Sequence, residues 1–286
     1  MEVILAQKAG YCFGVKRAVD MVEDCINAAG MPVYTYGPII HNEEVVKTFE
    51  KRGVRVLSTY EDIKAAEPGR VIIRAHGVAA ADYDFIKACG HTIVDATCPF
   101  VLKIHNIVKK ASESGEEVVI IGNPEHPEVE GIRSCAKPEN TTVLNSYEDA
   151  ETFVKVHPDK NIKICIVAQT TFNHNKFQEF VEIFSKNGYN FVRVLNTICN
   201  ATEERQTEAE SMSRRVDAVI VIGGKGSSNT RKLYDICSSI CPDTYLIQTA
   251  DDMDFTRLRG VKKVGITAGA STPEYIIREV QTKCQI

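Results

Sequence analysis

The sequence predicts an α/β protein of three similar small domains with parallel-rich sheets, and three observations lead there. Apolar strand-like stretches alternate with helical ones along the chain. One order of elements recurs three times, beginning each time at a cysteine: Cys12, Cys98 and Cys199. Polar, glycine-bearing loops then follow the strands at matching offsets in each unit.

The intervals from Cys12 to Cys98, from Cys98 to Cys199 and from Cys199 to residue 286 are 86, 101 and 87 residues, so three comparable units fit. Each cysteine stands where a strand gives way to a helix: after Val3 to Ala6, after Thr92 to Asp95 and after Phe191 to Leu195. Behind Cys12, Val15, Val19, Val22 and Ile26 recur at helical spacing until Gly30 and Pro32 stop the run. Pro99 suits the first turn of a helix starting at Cys98, where its missing N–H is no loss. The stretch from Ala201 to Arg215 reads as a more polar helix.

Gly37, Gly122 and Gly223 lie 25, 24 and 24 residues past their cysteines, each after an apolar strand. They open the loops Gly37-Pro-Ile-Ile-His-Asn42, Gly122-Asn-Pro-Glu-His-Pro-Glu128 and Gly223-Gly-Lys-Gly-Ser-Ser-Asn229. A second set follows further strands: Arg74-Ala-His-Gly77, Gln169-Thr-Thr171 and Thr267-Ala-Gly-Ala-Ser271. In this set Thr170 and Ser271 stand 72 residues past their respective cysteines. Parallel sheets bind ligands beyond their carboxyl strand ends. If the units meet around a pseudo-threefold axis, all nine segments converge on one central cavity.

Composition narrows the function. The 286 residues are 44% hydrophobic and 25% charged, enough apolar content for a sizeable core. A net charge of -4 supplies no broad basic field, which argues against a nucleic-acid partner. The apolar run Val3 to Ala6 is too short for a secretory signal, and no run approaches the roughly 18 residues of a membrane span. These readings point to the cytoplasm, with no membrane partner.

Ten cysteines in a reducing compartment do not make a disulfide scaffold. Cys25, Cys89, Cys135, Cys165 and Cys284 read as small buried hydrophobes. Cys237 and Cys241, one helical turn apart, allow a metal or a regulatory disulfide, but buried packing is the preferred reading. The three repeat cysteines remain. Zinc sites rich in cysteine usually show close C-x₂₋₄-C pairs, which these lack. Thiolates also suit an iron–sulfur cubane, and three would leave one iron open; three structural cysteines remain the alternative. Helix N-termini at the thiols favour their ionised form.

The loops add His41, His76, His126, Ser227, Ser228, Asn229 and Ser271, donors able to cradle phosphate oxygens. Glu128 is a candidate proton donor if burial near an anion raises its pKa. Lys225 precedes its glycine and serines, so Val221 to Thr230 is not a P-loop, and no G-x-G-x-x-G appears. A zinc-stabilised phosphometabolite sensor and a cluster-based redox sensor compete with an enzyme at this point. The redox sensor would need a partner or DNA surface that a mildly acidic chain does not advertise.

The segments Gly10-Tyr-Cys-Phe-Gly-Val15, Gly37-Pro-Ile-Ile-His-Asn42, Arg74-Ala-His-Gly-Val78, Asp95-Ala-Thr-Cys-Pro-Phe100, His126-Pro-Glu128, Thr197-Ile-Cys-Asn-Ala-Thr202 and Gly265-Ile-Thr-Ala-Gly-Ala-Ser271 resemble the 4-hydroxy-3-methylbut-2-enyl diphosphate reductases, the LytB/IspH family. One departure is Gly226, where the family commonly has Asn. The resemblance implies a trefoil of α/β domains, read here as residues 14–97, 98–196 and 197–286, the segment 1–13 joining the last. It implies a 4Fe-4S cluster on Cys12, Cys98 and Cys199, and a diphosphate held by His41, His76, His126, Ser227, Ser228, Asn229 and Ser271. It further implies Glu128 as proton donor oriented by Thr170, ferredoxin or flavodoxin as electron donor, and a monomer. The implied reaction is the last step of the non-mevalonate isoprenoid pathway, giving isopentenyl and dimethylallyl diphosphate.

Overall fold

The computed structural model describes residues 1–28 and 30–285. Its strands in chain order are β1 (Glu2–Leu5), β2 (Val33–Tyr36), β3 (Arg55–Leu57), β4 (Arg70–Ile73), β5 (Thr92–Asp95), β6 (Glu117–Ile121), β7 (Thr141–Leu144), β8 (Lys163–Ala168), β9 (Phe191–Val194), β10 (Ala218–Ile222), β11 (Thr244–Ile247) and β12 (Lys263–Ala268). They form three four-stranded sheets, ordered β1-β12-β10-β11, β3-β2-β4-β5 and β7-β6-β8-β9, with every pairing parallel. The three orders are one pattern. The strand leading to a cysteine (β1, β5 or β9) is an edge, next to it lies the strand of the second loop (β12, β4 or β8), and next the strand of the first loop (β10, β2 or β6).

Position in the sheet explains composition. The central strands β6, β8, β10 and β12 are continuous Val/Ile-rich runs buried almost throughout, because helices cover both faces of a parallel sheet. The edge strands β1, β5 and β9 contain no fully buried residue. Between strands, helices start on local signals: Thr59 with Asp62 and Ser146 with Asp149 form capping boxes, satisfying amide groups that the first turn leaves open. The helices Phe13–Asn27, Pro99–Glu113 and Asn200–Ser213 each begin on the residue after a repeat cysteine. Gly30, at φ +106, closes the turn after the first of them, in a conformation glycine adopts without penalty.

The chain divides into two compact units. One comprises Met1–Val19, Ile40–Gly53 and Asn200–Ile286, and holds the sheet β1-β12-β10-β11. Val219, Val221, Met212, Leu233 and Cys237 pack on one side of that sheet, and Ile220, Ile266, Ile276 and Val280 on the other. The other unit comprises Asp20–Ile39 and Val54–Cys199, with the remaining two sheets. Phe153, Phe177, Phe180 and Phe184 form an aromatic core against β6 and β8, and Ile104, Val108 and Ile132 pack on the opposite face of those strands. No helix among the described residues is long and apolar enough to cross a membrane.

The repeat extends to individual loop hydrogen bonds. The N–H groups of Gly37, Gly122 and Gly223 donate to the last carbonyl of the outer edge strand, at Leu57, Leu144 and Ile247, over 2.8, 2.9 and 2.8 Å. Those of Gly77, Phe172 and Thr272 close four-residue turns onto the carbonyls of Arg74, Gln169 and Gly269. These turns shift the expected register by one. The shared offset of 72 pairs Thr170 with Ser271, whereas the turns pair Thr170 with Ala75 and Ala270, and Thr171 with His76 and Ser271. The reason is one extra residue between the two loops of the middle repeat: Gly122 to Gln169 spans 47 residues, Gly223 to Gly269 only 46.

Candidate active site

Each repeat cysteine is tied into its sheet by the same bond. The N–H groups of Cys12, Cys98 and Cys199 donate to the carbonyls of Ala270, Ala75 and Thr170 over 3.2, 3.0 and 3.0 Å. The carbonyls of Cys12 and Cys98 then accept from Lys16 and Leu102, so each thiol projects from the start of a helix. All three are partly exposed and none is in a disulfide, whereas Cys25, Cys165 and Cys284 are buried as their apolar reading expects. Cys89 and Cys135 are only half-buried. Cys237 and Cys241 are free and buried, and burial pushes both thiols up, away from metal binding and exchange chemistry.

Within the unit containing Cys98 and Cys199, the loop beyond β6 carries His126 and Glu128. His126 is the N-cap of helix Pro127–Arg133, and its Nδ1 accepts the Glu128 N–H at 3.1 Å. An Nδ1 so engaged places the ring proton of the neutral imidazole on Nε2, making that atom a donor. The His76 ring stands edge-on to it, centroids 5.5 Å apart at 76°.

Glu128 is 1% exposed. Its Oε1 accepts the Thr170 N–H at 2.6 Å and its Oε2 the Thr170 hydroxyl at 2.7 Å. Burial pushes its carboxyl up from the ordinary 4.5, and the two Thr170 bonds pull it partly back. Thr170 also accepts the Cys199 N–H, so one residue holds the carboxyl and the backbone of a repeat cysteine.

Gly122 makes room for this arrangement. A Cβ there would lie 2.8 Å from the Gln169 Cβ and 2.9 Å from Val129. Gln169 itself was not a candidate on the sequence. It is buried, its Oε1 accepts the Asn123 N–H, and its Nε2 has no protein partner. Thr171 is likewise an unanticipated position, equivalent to His76 and Ser271. Turn equivalence is the signal that finds it, and that became visible only with strand register.

Within the other unit, Ser227 caps helix Ser228–Ile240, its hydroxyl accepting the Thr230 N–H at 3.3 Å. Asn229 is buried, and neither of its amide atoms has a partner among the described residues, an arrangement that a polar ligand would complete. Ser228 is half-buried and Lys225 exposed. Asn42 caps helix Glu43–Glu50 through Oδ1, leaving its buried Nδ2 unpartnered; it too escaped the sequence reading. The Ser271 hydroxyl donates to the His41 carbonyl at 3.1 Å, fixing the loop that carries that imidazole. Gly224 packs against the same loop: a Cβ there would lie 2.6 Å from the His41 carbonyl. At Gly226 the nearest neighbour a Cβ would meet, a Glu43 oxygen, is 3.9 Å away, so that departure from the family pattern leaves the loop undisturbed.

Buried and half-buried imidazoles, hydroxyls and amides at strand ends and helix caps suit a multiply charged oxyanion. A shielded carboxyl suits proton transfer, and a partly exposed thiol at a helix start suits thiolate ligation of a metal.

Comparison with known proteins agrees. The family model described as LytB protein matches residues 3–285. A protein of Geobacter sulfurreducens named 4-hydroxy-3-methylbut-2-enyl diphosphate reductase is 44% identical over 100% of this chain and 97% of its own. One of the same name from Caldanaerobacter subterraneus is 43% identical over 99% and 96%. A solved structure of (E)-4-hydroxy-3-methyl-but-2-enyl diphosphate reductase, described as the terminal enzyme of the non-mevalonate pathway, is 40% identical, with a TM-score of 0.70 over 100% of this chain and 99% of that one. The corresponding Plasmodium falciparum structure is 29% identical, with a TM-score of 0.90 over 98% and 87%. A family match spanning nearly every residue, with relatives of one name at this identity, leaves one assignment: the chain belongs to the LytB family.

Proposed function

We propose that this protein reductively dehydroxylates (E)-4-hydroxy-3-methylbut-2-enyl diphosphate to isopentenyl and dimethylallyl diphosphate, as the last step of the non-mevalonate pathway. The observation that carries the reading is Thr170, which holds both oxygens of a buried carboxyl and the backbone of a repeat cysteine. Cys12, Cys98 and Cys199 would hold a 4Fe-4S cluster with one open iron, being partly exposed cysteines outside any disulfide at equivalent helix starts. When bound, the cluster would supply electrons and a Lewis acid.

The chain's own residues do the rest. His126, with its proton on Nε2, donates to a diphosphate oxygen together with His41 and His76. Ser227, Ser228, Asn229 and Ser271 complete the cradle, and the unpartnered amide of Asn229 gains its bonds there. Glu128, whose carboxyl burial pushes up from its ordinary range, gives its proton to the departing hydroxyl so that it leaves as water. Thr170 orients that carboxyl. Two electrons enter, from ferredoxin or flavodoxin, since the sequence has no flavin or nicotinamide motif. Protonation of the resulting allylic anion equivalent at either end gives the two products. The domain division at residues 14–97, 98–196 and 197–286 with 1–13 belongs to this reading, as do a monomer and a cytoplasmic setting.

Protein purified without oxygen should be brown, hold about four irons and four sulfides per chain, and release isopentenyl diphosphate when given substrate and a strong reductant. Colourless protein with stoichiometric zinc, or binding without product, refutes the reading.

A further inference from the structure

Helix Pro99–Glu113 carries a largely buried imidazole that the mechanism does not use. The His105 ring lies between two glycines of the same unit: a Cβ at Gly77 would stand 3.1 Å from its Cε1, and one at Gly131 3.4 Å from its Nε2. Gly77 directly follows His76. Gly131 follows Glu128 by three residues, which puts the two on neighbouring parts of one helix face. We propose that His105 is a positioning residue, a spacer that sets the gap between the His76 loop and the helix carrying His126 and Glu128; this rests on the diphosphate and proton-donor roles assigned above.

Three observations support a steric role. Gly77 needs glycine for its backbone, at φ +75, but Gly131 does not: it sits inside a helix, where glycine is less favourable than alanine. A Cβ there would only reach ordinary contact with the imidazole, 3.4 Å from Nε2 and 3.6 Å from Cε1, so a methyl fits and a larger side chain presses on the ring. The His105 Nε2 is buried and has no hydrogen-bond partner among the described residues, so the ring is not there to make that bond. Burial also holds the imidazole below its usual range, with Asp95 opposing, which keeps it a neutral spacer. The edge-on His76 and His126 rings belong to the two elements being spaced, so a change in the gap alters the donor pair directly.

Inorganic diphosphate is the probe, titrated calorimetrically into the anaerobically purified holoenzyme, with melting temperature followed in parallel. His105→Ala should weaken binding about tenfold, the equivalent of about 1.4 kcal/mol. His105→Gln, which refills the gap without an imidazole, should stay within about twofold of the parent. Gly131→Val, whose methyls enter the same contact, should weaken binding as His105→Ala does, and it carries the test if the alanine variant fails to fold. Unchanged affinity in His105→Ala or in a folded Gly131→Val overturns the spacer. So does a loss in His105→Gln equal to that in His105→Ala, which would point to the imidazole nitrogens instead. A parent enzyme that binds no inorganic diphosphate overturns the diphosphate site itself, and the spacer with it.

Discussion

Replacing Thr170 with Val removes one hydroxyl and leaves the backbone N–H in place. That hydroxyl donates to Glu128 Oε2 at 2.7 Å inside a site where the carboxyl is 1% exposed, so water does not replace it. Hydrogen bonds to charged groups contribute about 1.5–3 kcal/mol. Losing this one should raise the Glu128 pKa further, because the bond is stronger to the carboxylate than to the acid. The sign follows from what the bond stabilises. It favours the carboxylate over the acid, so its loss lets the carboxyl hold its proton to higher pH.

If Glu128 is the proton donor, activity falls as pH rises through its pKa. The alkaline limb of kcat against pH should therefore move to higher pH in Thr170→Val. The value at the optimum should fall, because the carboxyl is now held only by the Thr170 N–H at 2.6 Å. A pH series on anaerobic enzyme, driven by dithionite-reduced methyl viologen, reads both. An alkaline limb that stays put or moves down would refute the assignment of Glu128 to that limb.

Glu128→Gln should keep its iron and bind diphosphate but lose most turnover; unchanged turnover removes the proton-donor role. The same variant has a thermodynamic signature. The raised carboxyl contributes stability that is fully present below 4.5 and is lost as pH rises through the folded pKa, so the variant should gain stability on the parent between acid and neutral pH, and equal melting differences at both ends would contradict that burial effect. His126→Asn keeps a good N-cap while removing the Nε2 donor, so it should melt near the parent yet bind inorganic diphosphate more weakly; His126→Ala should additionally cost about 1 kcal/mol of stability. Cys→Ser at 12, 98 or 199 should each deplete iron, whereas Cys237→Ser and Cys241→Ser should leave the iron content of purified protein unchanged. Iron loss in the latter pair would reassign the ligands.

Much of this was legible before any coordinates, and for identifiable reasons. Central strands of a parallel sheet are buried on both faces, so β6, β8 and β10 are unmistakable apolar runs. Loop glycines sit where a side chain would collide, which keeps Gly37, Gly122 and Gly223 at matching offsets. The cysteines stand out because each lies at a junction between strand and helix. What stayed hidden depends on contacts between distant segments. Gln169 and Asn42 are ordinary loop residues until burial leaves their amides unpartnered. Thr171 was misaligned with its counterparts because counting from the cysteine cannot see an extra residue that the hydrogen-bonded turns absorb.

The sequence alone determined the α/β class, the threefold order and which residue types stand at the strand ends, since those follow from local periodicity and spacing. Only the tertiary structure decided that Thr170 grips both oxygens of Glu128, that His126 caps its own helix, and that His105 lies between Gly77 and Gly131. Burial, the state of a carboxyl and the tautomer of an imidazole are set by neighbours that folding brings from elsewhere in the chain. Glu128 meets Thr170 across 42 residues, and no pattern within either segment records that meeting.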